Sequence, residues 1–403
     1  MKNRLLGVLS ITTLAAFAAQ SSAVAGEAFT EALANGKAYG DIRLRYEMVE
    51  QDNTKKDADG LTIRTRLGYE TGEHEGFSGV LEFEDVRVVA GMDDYDNKLG
   101  FHTQYSAIAD PETTELDQGF IRYKSDAFNA KFGRQVLTLD NHRFVGHVGW
   151  RQDRQTFDGL RVDVKPMDDL TIMYAYLDER NRIFAEKFDF DSKDHLLNAA
   201  YKTPLGTVTG YSYMLEIDEG TDNSLDTIGL RFNGSTDLND IKVVYTAEFA
   251  TQEAESGANE ADADYLFLEG GVVIQGITAK LGYEVLGSDN GMYGFGTPLA
   301  TGHKFNGWAD IFLNTPDEGL EDLMVTVSAK VGGGKLMAVY HDFSADESSA
   351  AVDDLGSEID LLYARKLCKN YNAGIKYAAY SAGDVGAGKV DTDKLWIWTS
   401  VSF

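Results

Sequence analysis

The feature that most restricts this chain is an alternation of apolar and polar residues with period two, repeated in segments of about ten residues. Residues 38–48 are the clearest case. Ala38, Gly40, Ile42, Leu44, Tyr46 and Met48 fall on one face, and Tyr39, Asp41, Arg43, Arg45 and Glu47 on the other. The division recurs where Leu61, Ile63, Leu67 and Tyr69 oppose Arg64, Arg66 and Glu70, and where Leu160, Val162 and Val164 oppose Arg161, Asp163 and Lys165. It returns where Ile277, Ala279, Leu281 and Tyr283 oppose Thr278, Lys280 and Glu284. A soluble β-sandwich also alternates, but it has less reason to keep charge off one face so strictly. A charge facing lipid at mid-membrane costs about 2–4 kcal/mol, and these apolar faces carry none. The pattern predicts an all-β fold, a transmembrane antiparallel β-barrel built from a single chain.

The two ends support export and membrane assembly. Lys2 and Arg4 precede the apolar stretch Leu5–Ala19, and Ala23-Val24-Ala25 supplies a small-x-small cleavage pattern. Residues 1–25 therefore read as a signal peptide and residues 26–403 as one outer-membrane barrel domain. At the other end Leu395, Ile397, Val401 and Phe403 share one parity, and the chain stops on the aromatic, like the assembly signal of bacterial outer-membrane proteins. Removing Lys2 and Arg4 takes the net charge from −28 to −30, which argues against nucleic acid as a partner. The lone Cys368 forms no internal disulfide.

Single-chain bacterial barrels have an even strand count, short periplasmic turns and longer outer loops. Placing strands by alternation, the first near residues 37–50 and the last near 393–403, gives eighteen. A nineteenth strand at Phe305–Leu313 would reverse every later turn. Parity therefore assigns residues 289–321 to one long outer loop, with Trp308–Leu313 as a short helix.

The charges divide by location. In the seven cleanest strands the polar faces carry ten bases: Arg43, Arg45, Arg64, Arg66, Arg161, Lys165, Arg231, Lys242, Lys280 and Lys330. The same faces carry six acids: Asp41, Glu47, Glu70, Asp163, Glu248 and Glu284. Segments 217–226, 252–264 and 345–358 hold fourteen acids and no Lys or Arg, and all three fall in expected outer loops. A cationic lumen beneath an acidic mouth follows. Arginine suits carboxylate because its planar fork donates two hydrogen bonds at once. The densest block, Gly133–Gly159, adds Arg134, Arg143, Arg151 and Arg154 among Phe144, Trp150 and Phe157, and is expected to fold into the mouth or lumen as a constriction. The same arginines would serve equally well to brace the wall against inward carboxylates.

An enzyme is the rival class. There is no Gly-x-Ser-x-Gly and no His-Glu-x-x-His. His142, His147 and Asp140 share a loop, a weak acid–base or metal constellation. The reading is a channel with no catalytic residues, no metal and no cofactor.

Two segments carry a specific resemblance. GRQVLTLDNHRFVGHVGWRQDRQTFDGLRV (133–162) and FNGWADIFLNTPDEGLEDL (305–323) resemble hallmark segments of the alginate export family of outer-membrane porins. The resemblance implies an eighteen-stranded barrel in the Gram-negative outer membrane whose arginine-rich pore passes the polyuronate alginate outward. It places a carboxylated ligand against Arg134, Arg143, Arg151 and Arg154. The expected pore-lining set is these four with Arg43, Arg45, Arg64, Arg66, Arg161, Arg231, Lys242 and Lys280. The expected partners are outer-membrane lipid and lipopolysaccharide, an anionic solute or uronate saccharide, and the assembly machinery acting on Phe403. The alternative is a general diffusion porin without saccharide specificity, with a barrel enzyme or a structural barrel beyond it.

Overall fold

The computed structural model describes residues 23–403 apart from positions 219 and 221. Most of the expected leader lies outside the described residues, and helix α1 (Ala23–Ala34) begins inside its last three positions. The helix rests against the first short turn: Gly72 N donates to Ala32 O (2.8 Å), and the Tyr69 hydroxyl donates to Leu33 O. Among the described residues no helix is long and apolar enough to cross a membrane.

Eighteen strands follow, each pairing antiparallel with its neighbours in sequence. In order they are β1 (Lys37–Gln51), β2 (Ala58–Glu70), β3 (Phe77–Asp94), β4 (Thr113–Lys124), β5 (Phe128–Gln135) and β6 (Thr156–Met167). Next come β7 (Leu170–Asn181), β8 (Phe190–Thr203), β9 (Gly206–Leu215), β10 (Asn223–Leu238), β11 (Ile241–Ser256) and β12 (Asn259–Ile274). The last are β13 (Ile277–Leu286), β14 (Leu320–Val331), β15 (Gly334–Ser344), β16 (Asp354–Lys366), β17 (Tyr371–Ser381) and β18 (Thr392–Ser402). β18 pairs back onto β1, from Asp41 with Ser402 to Gln51 with Thr392, so the sheet closes and leaves no free edge.

The period-two pattern explains which way each residue points. On β1, Arg43, Arg45, Glu47 and Val49 are buried, while Ile42, Leu44, Tyr46 and Met48 are only partly covered. The outward row elsewhere is an apolar belt: Phe132 is 67% exposed and Ile228 61%. Such side chains lie bare only because lipid, not water, is their solvent. The closure is finished by the terminal aromatic. Phe403 exchanges backbone hydrogen bonds with Gly40 (2.9 and 3.0 Å), and a Cβ on Gly40 would lie 2.5 Å from the Phe403 ring. The ring covers the space the glycine leaves open.

All eighteen predicted strands are present, and residues 289–321 lie mostly in the connection between β13 and β14, on the long-loop side. Two expectations change. Trp308–Leu313 is not helical; it runs as turns whose Trp308, Ala309 and Phe312 are buried. Segment 252–264 is not a loop either: β11 and β12 run on through it to a two-residue turn at Gly257-Ala258, pairing Gln252 with Ala263 and Glu255 with Glu260. Its acids thus stand on a long hairpin, and Glu358 of the third acidic segment is buried on the inner wall of β16.

Candidate functional site

An eighteen-stranded barrel is wide enough for an aqueous lumen. Here two long loops fold into it, residues 136–155 between β5 and β6 and residues 287–319 between β13 and β14. Their apolar side chains pack on two parts of the wall. Phe144 meets Tyr211 and Tyr265 at ring-centre distances of 5.3 and 5.1 Å and Phe295 of the second loop at 5.9 Å, while Phe312 meets Phe343 at 4.7 Å and Trp150 meets Trp398 at 5.3 Å. Most of their charged groups turn toward β1–β4, β13–β18 and each other.

The first loop is seated on arginines of β1 and β2. Arg43 donates from Nε to Gln152 Oε1 (2.9 Å), from Nη1 to Gly149 O (3.2 Å), and from Nη2 to Trp150 O (2.9 Å) and Arg151 O. Arg45 donates to Trp150 O and Asp110 and lies 3.1 Å from Glu47. Arg66 binds Glu84 and Gln152 O, and Arg64 binds Asp41. The loop returns charge to the wall. Arg151 holds both Glu47 oxygens at 3.0 Å and Asp310 of the second loop at 2.9 Å. Arg154 holds Asp117 and Glu82, and Arg143 holds Glu284 at 2.8 Å.

The second loop is locked by inward carboxylates. Trp308 N and Ala309 N donate to Asp360 and Glu358 (3.2 and 2.7 Å), and Asn306 donates to Glu284 and Asp322 (2.7 and 3.2 Å). Asp310 also takes Lys394 Nζ at 3.0 Å and His303 at 2.6 Å. Where the loops meet, the Trp150 ring stacks on His303 (4.9 Å, 3° between planes) and carries Lys376 Nζ 3.7 Å from its centre. Trp308 and Trp396 also face Lys376, at 4.4 and 5.7 Å.

Of the other expected pore-lining residues, Arg231 is buried against Glu248, Arg161 bonds Asp163 (2.8 Å), and Lys280 bonds Glu269 (2.9 Å). Lys242 has inward parity but is exposed at the short-turn end. Arg134 is a correction. It shares parity with outward Phe132 and pairs along the ladder with Gly119 and Asp158, so it belongs to the outer flank rather than the pore. There it bonds Asp158 (2.8 Å) beside Glu179, and lines a cavity of about 420 Å³ with Glu186, Asp189, Asp191 and Asp218.

The expected cationic excess is a second correction. Among the described residues the buried ionisable side chains include thirteen Asp or Glu and ten Lys or Arg. The clean strands overstated base because acids on irregular ladders, such as Glu82, Asp117 and Asp194, escaped the pattern. The trio Asp140, His142 and His147 does not form one site: the two rings meet edge-on at 5.2 Å while Asp140 accepts from Asn198 (2.9 Å). Sequence reasoning missed Lys376, Trp396 and Lys394, all of inward parity on the last two strands; that parity was the available signal.

Solved structures similar to this chain include outer-membrane barrels. OccAB1 of Acinetobacter baumannii matches with a TM-score of 0.70 at 12% identity, over 92% of this chain and 97% of that one. OccAB4 of the same organism gives 0.69 at 14%, over 92% and 98%. OpdK of Pseudomonas aeruginosa, solved with vanillate, gives 0.68 at 14%, over 91% and 98%. At these identities the likeness concerns the fold. No curated protein matches the sequence. The family model described as alginate export matches residues 38–289, which include the Gly133–Val162 segment, though not 305–323. With that match across more than half its length, the chain belongs to the alginate export family.

Proposed function

We propose that the chain is a gated channel of the Gram-negative outer membrane that passes carboxylated solutes, with uronate oligo- or polysaccharide, alginate included, as the substrate class. The observation that carries this reading is that six buried or part-buried arginines join the first loop to the lumen wall: Arg43, Arg45 and Arg66 from the wall, and Arg143, Arg151 and Arg154 from the loop. Guanidinium is the side chain best matched to a carboxylate, and in a confined site of lowered dielectric its charge reaches farther than in bulk water. Ion pairs hold the wall and loop together, yet each pair can exchange its carboxylate for that of a passing solute. Export by the leader 1–25, assembly through Phe403, and contact of the acidic rim with lipopolysaccharide complete the proposal. No step requires a catalytic residue or cofactor.

The majority of acids among buried groups favours a second reading, a general diffusion porin without anion preference. Single-channel recording with added galacturonate oligomers separates the two. Concentration-dependent block supports the first; unhindered current at saturating oligomer supports the second.

A further inference from the structure

Arg43 differs from every other buried arginine described. Arg45, Arg64, Arg66, Arg143, Arg151, Arg180 and Arg231 each touch a carboxylate. Arg43 touches none. Its donors all go to neutral oxygens of one loop segment: the carbonyls of Gly149, Trp150 and Arg151, and the amide of Gln152. These neutral oxygens occupy the donors that a carboxylate would otherwise take, without supplying its charge. A desolvated guanidinium so held is satisfied in hydrogen bonds and under-compensated in charge.

Lys376 repeats the situation on β17. Among the described residues it touches no carboxylate; Nζ lies 2.9 Å from His303 Nε2 and faces the rings of Trp150, Trp308 and Trp396. Trp150 is the part of this cage that belongs to the same segment. The segment is also hinged under tension: Val148, just before it, has φ +49°. A β-branched residue rarely adopts that conformation, so release of the segment would relieve backbone strain there.

We infer that Gly149–Gln152 is an internal pseudo-ligand, occupying the sites in which a ring-bearing carboxylate binds: its carbonyls stand in for the carboxylate on Arg43, and the Trp150 ring stands in for the solute ring beside Lys376, Trp308 and Trp396. Binding of such a solute displaces the segment and opens the pore. This rests on the anion-channel reading and names the gate and its trigger.

The test uses the full-length barrel carrying Cys368→Ser, which removes the exposed thiol at the β16–β17 turn, and Gln152→Cys. Gln152 is fully buried, so its labelling by an impermeant maleimide reports release of the segment. Trigalacturonate is expected to raise the labelling rate about tenfold, the effect of giving up one charge-assisted hydrogen bond; maltotriose and acetate are expected to leave it unchanged. Adding Arg43→Lys, which keeps charge and loses the fork, should raise basal labelling and abolish the response to trigalacturonate. On the unmutated chain, trigalacturonate should shift tryptophan emission, and the shift should be absent in Trp150→Phe. Equal labelling with and without trigalacturonate, or equal acceleration by maltotriose, in a pore whose reversal potential is anionic would overturn the pseudo-ligand alone. A cation-selective pore would overturn the reading beneath it.

Discussion

Arg151→Ala tests whether ion pairs hold the first loop in the lumen. Arg151 reaches Glu47 on β1 with two contacts of 3.0 Å and Asp310 on the second loop with one of 2.9 Å, so it joins wall, first loop and second loop. Removing one partner of a buried pair costs about 3–5 kcal/mol, chiefly from the charges left behind. Here both carboxylates keep another cation: Glu47 retains Arg45 at 3.1 Å, and Asp310 retains Lys394 at 3.0 Å. That lowers the expected cost to about 2 kcal/mol. The cost falls on the loop-in arrangement alone, because a displaced loop lets water reach Glu47 and Asp310. At about 1.4 kcal/mol per factor of ten, the loop-in state should lose about thirtyfold in population. Planar-bilayer recording should show a larger fraction of time in the highest conductance level, with Arg151→Lys intermediate. The barrel itself should still run as a heat-modifiable band. A conductance histogram identical to wild type would refute the claim that this triple contact holds the gate.

Three further outcomes follow from the same geometry. Asp317→Cys, exposed in the β13–β14 connection, should react with an impermeant thiol reagent on intact cells, whereas Gly333→Cys at the opposite rim should not; reversed labelling would invert the topology. Deleting Phe403, whose ring covers Gly40 and whose backbone extends the β1–β18 seam, should lower the heat-modifiable fraction; unchanged folding would show the seam closes without it. Burial, with His142, Arg154 and Arg66 nearby, pushes His147 down to about 4 from 6.5. The folded loop therefore holds it neutral, and the stability this confers is present above pH 6.5 and lost as pH falls toward 4. Open events should grow more frequent over that window, and His147→Gln should flatten the dependence; a flat wild-type profile would contradict the assignment.

The wall was legible because a tilted strand in lipid obeys one rule, and that rule acts on every second residue. It located all eighteen strands, the side on which 289–321 lies, and the inward direction of Arg43, Arg45, Arg64 and Arg66. The same rule could have placed Arg134 outside, since it shares parity with Phe132; the density of arginine in the block obscured a two-residue step. The lumen was less legible for a physical reason. Parity says that Arg43 points inward, but its partners are carbonyls 106 to 108 residues away, and backbone acceptors leave no trace in side-chain pattern. The buried acids are similar. Asp110 and Asp310 lie on irregular loops, where no period marks them, and they neutralise the arginines that the strands displayed. Parity placed Trp308–Leu313 outside the sheet but says nothing of its local form, which is set by wall groups: Trp308 N and Ala309 N donate to Asp360 and Glu358, and Phe312 packs on Phe343.

The central claim is that guanidinium, not the acidic rim, governs what passes. The measurement that tests it most directly is the zero-current potential of the wild-type channel under a potassium chloride gradient at low ionic strength, where screening is weakest. The account predicts a potential of the sign set by chloride, shrinking as salt is raised and shrinking further in Arg43→Gln. A potential of the sign set by potassium would mean that the thirteen buried carboxylates and the rim control permeation, and would contradict the account.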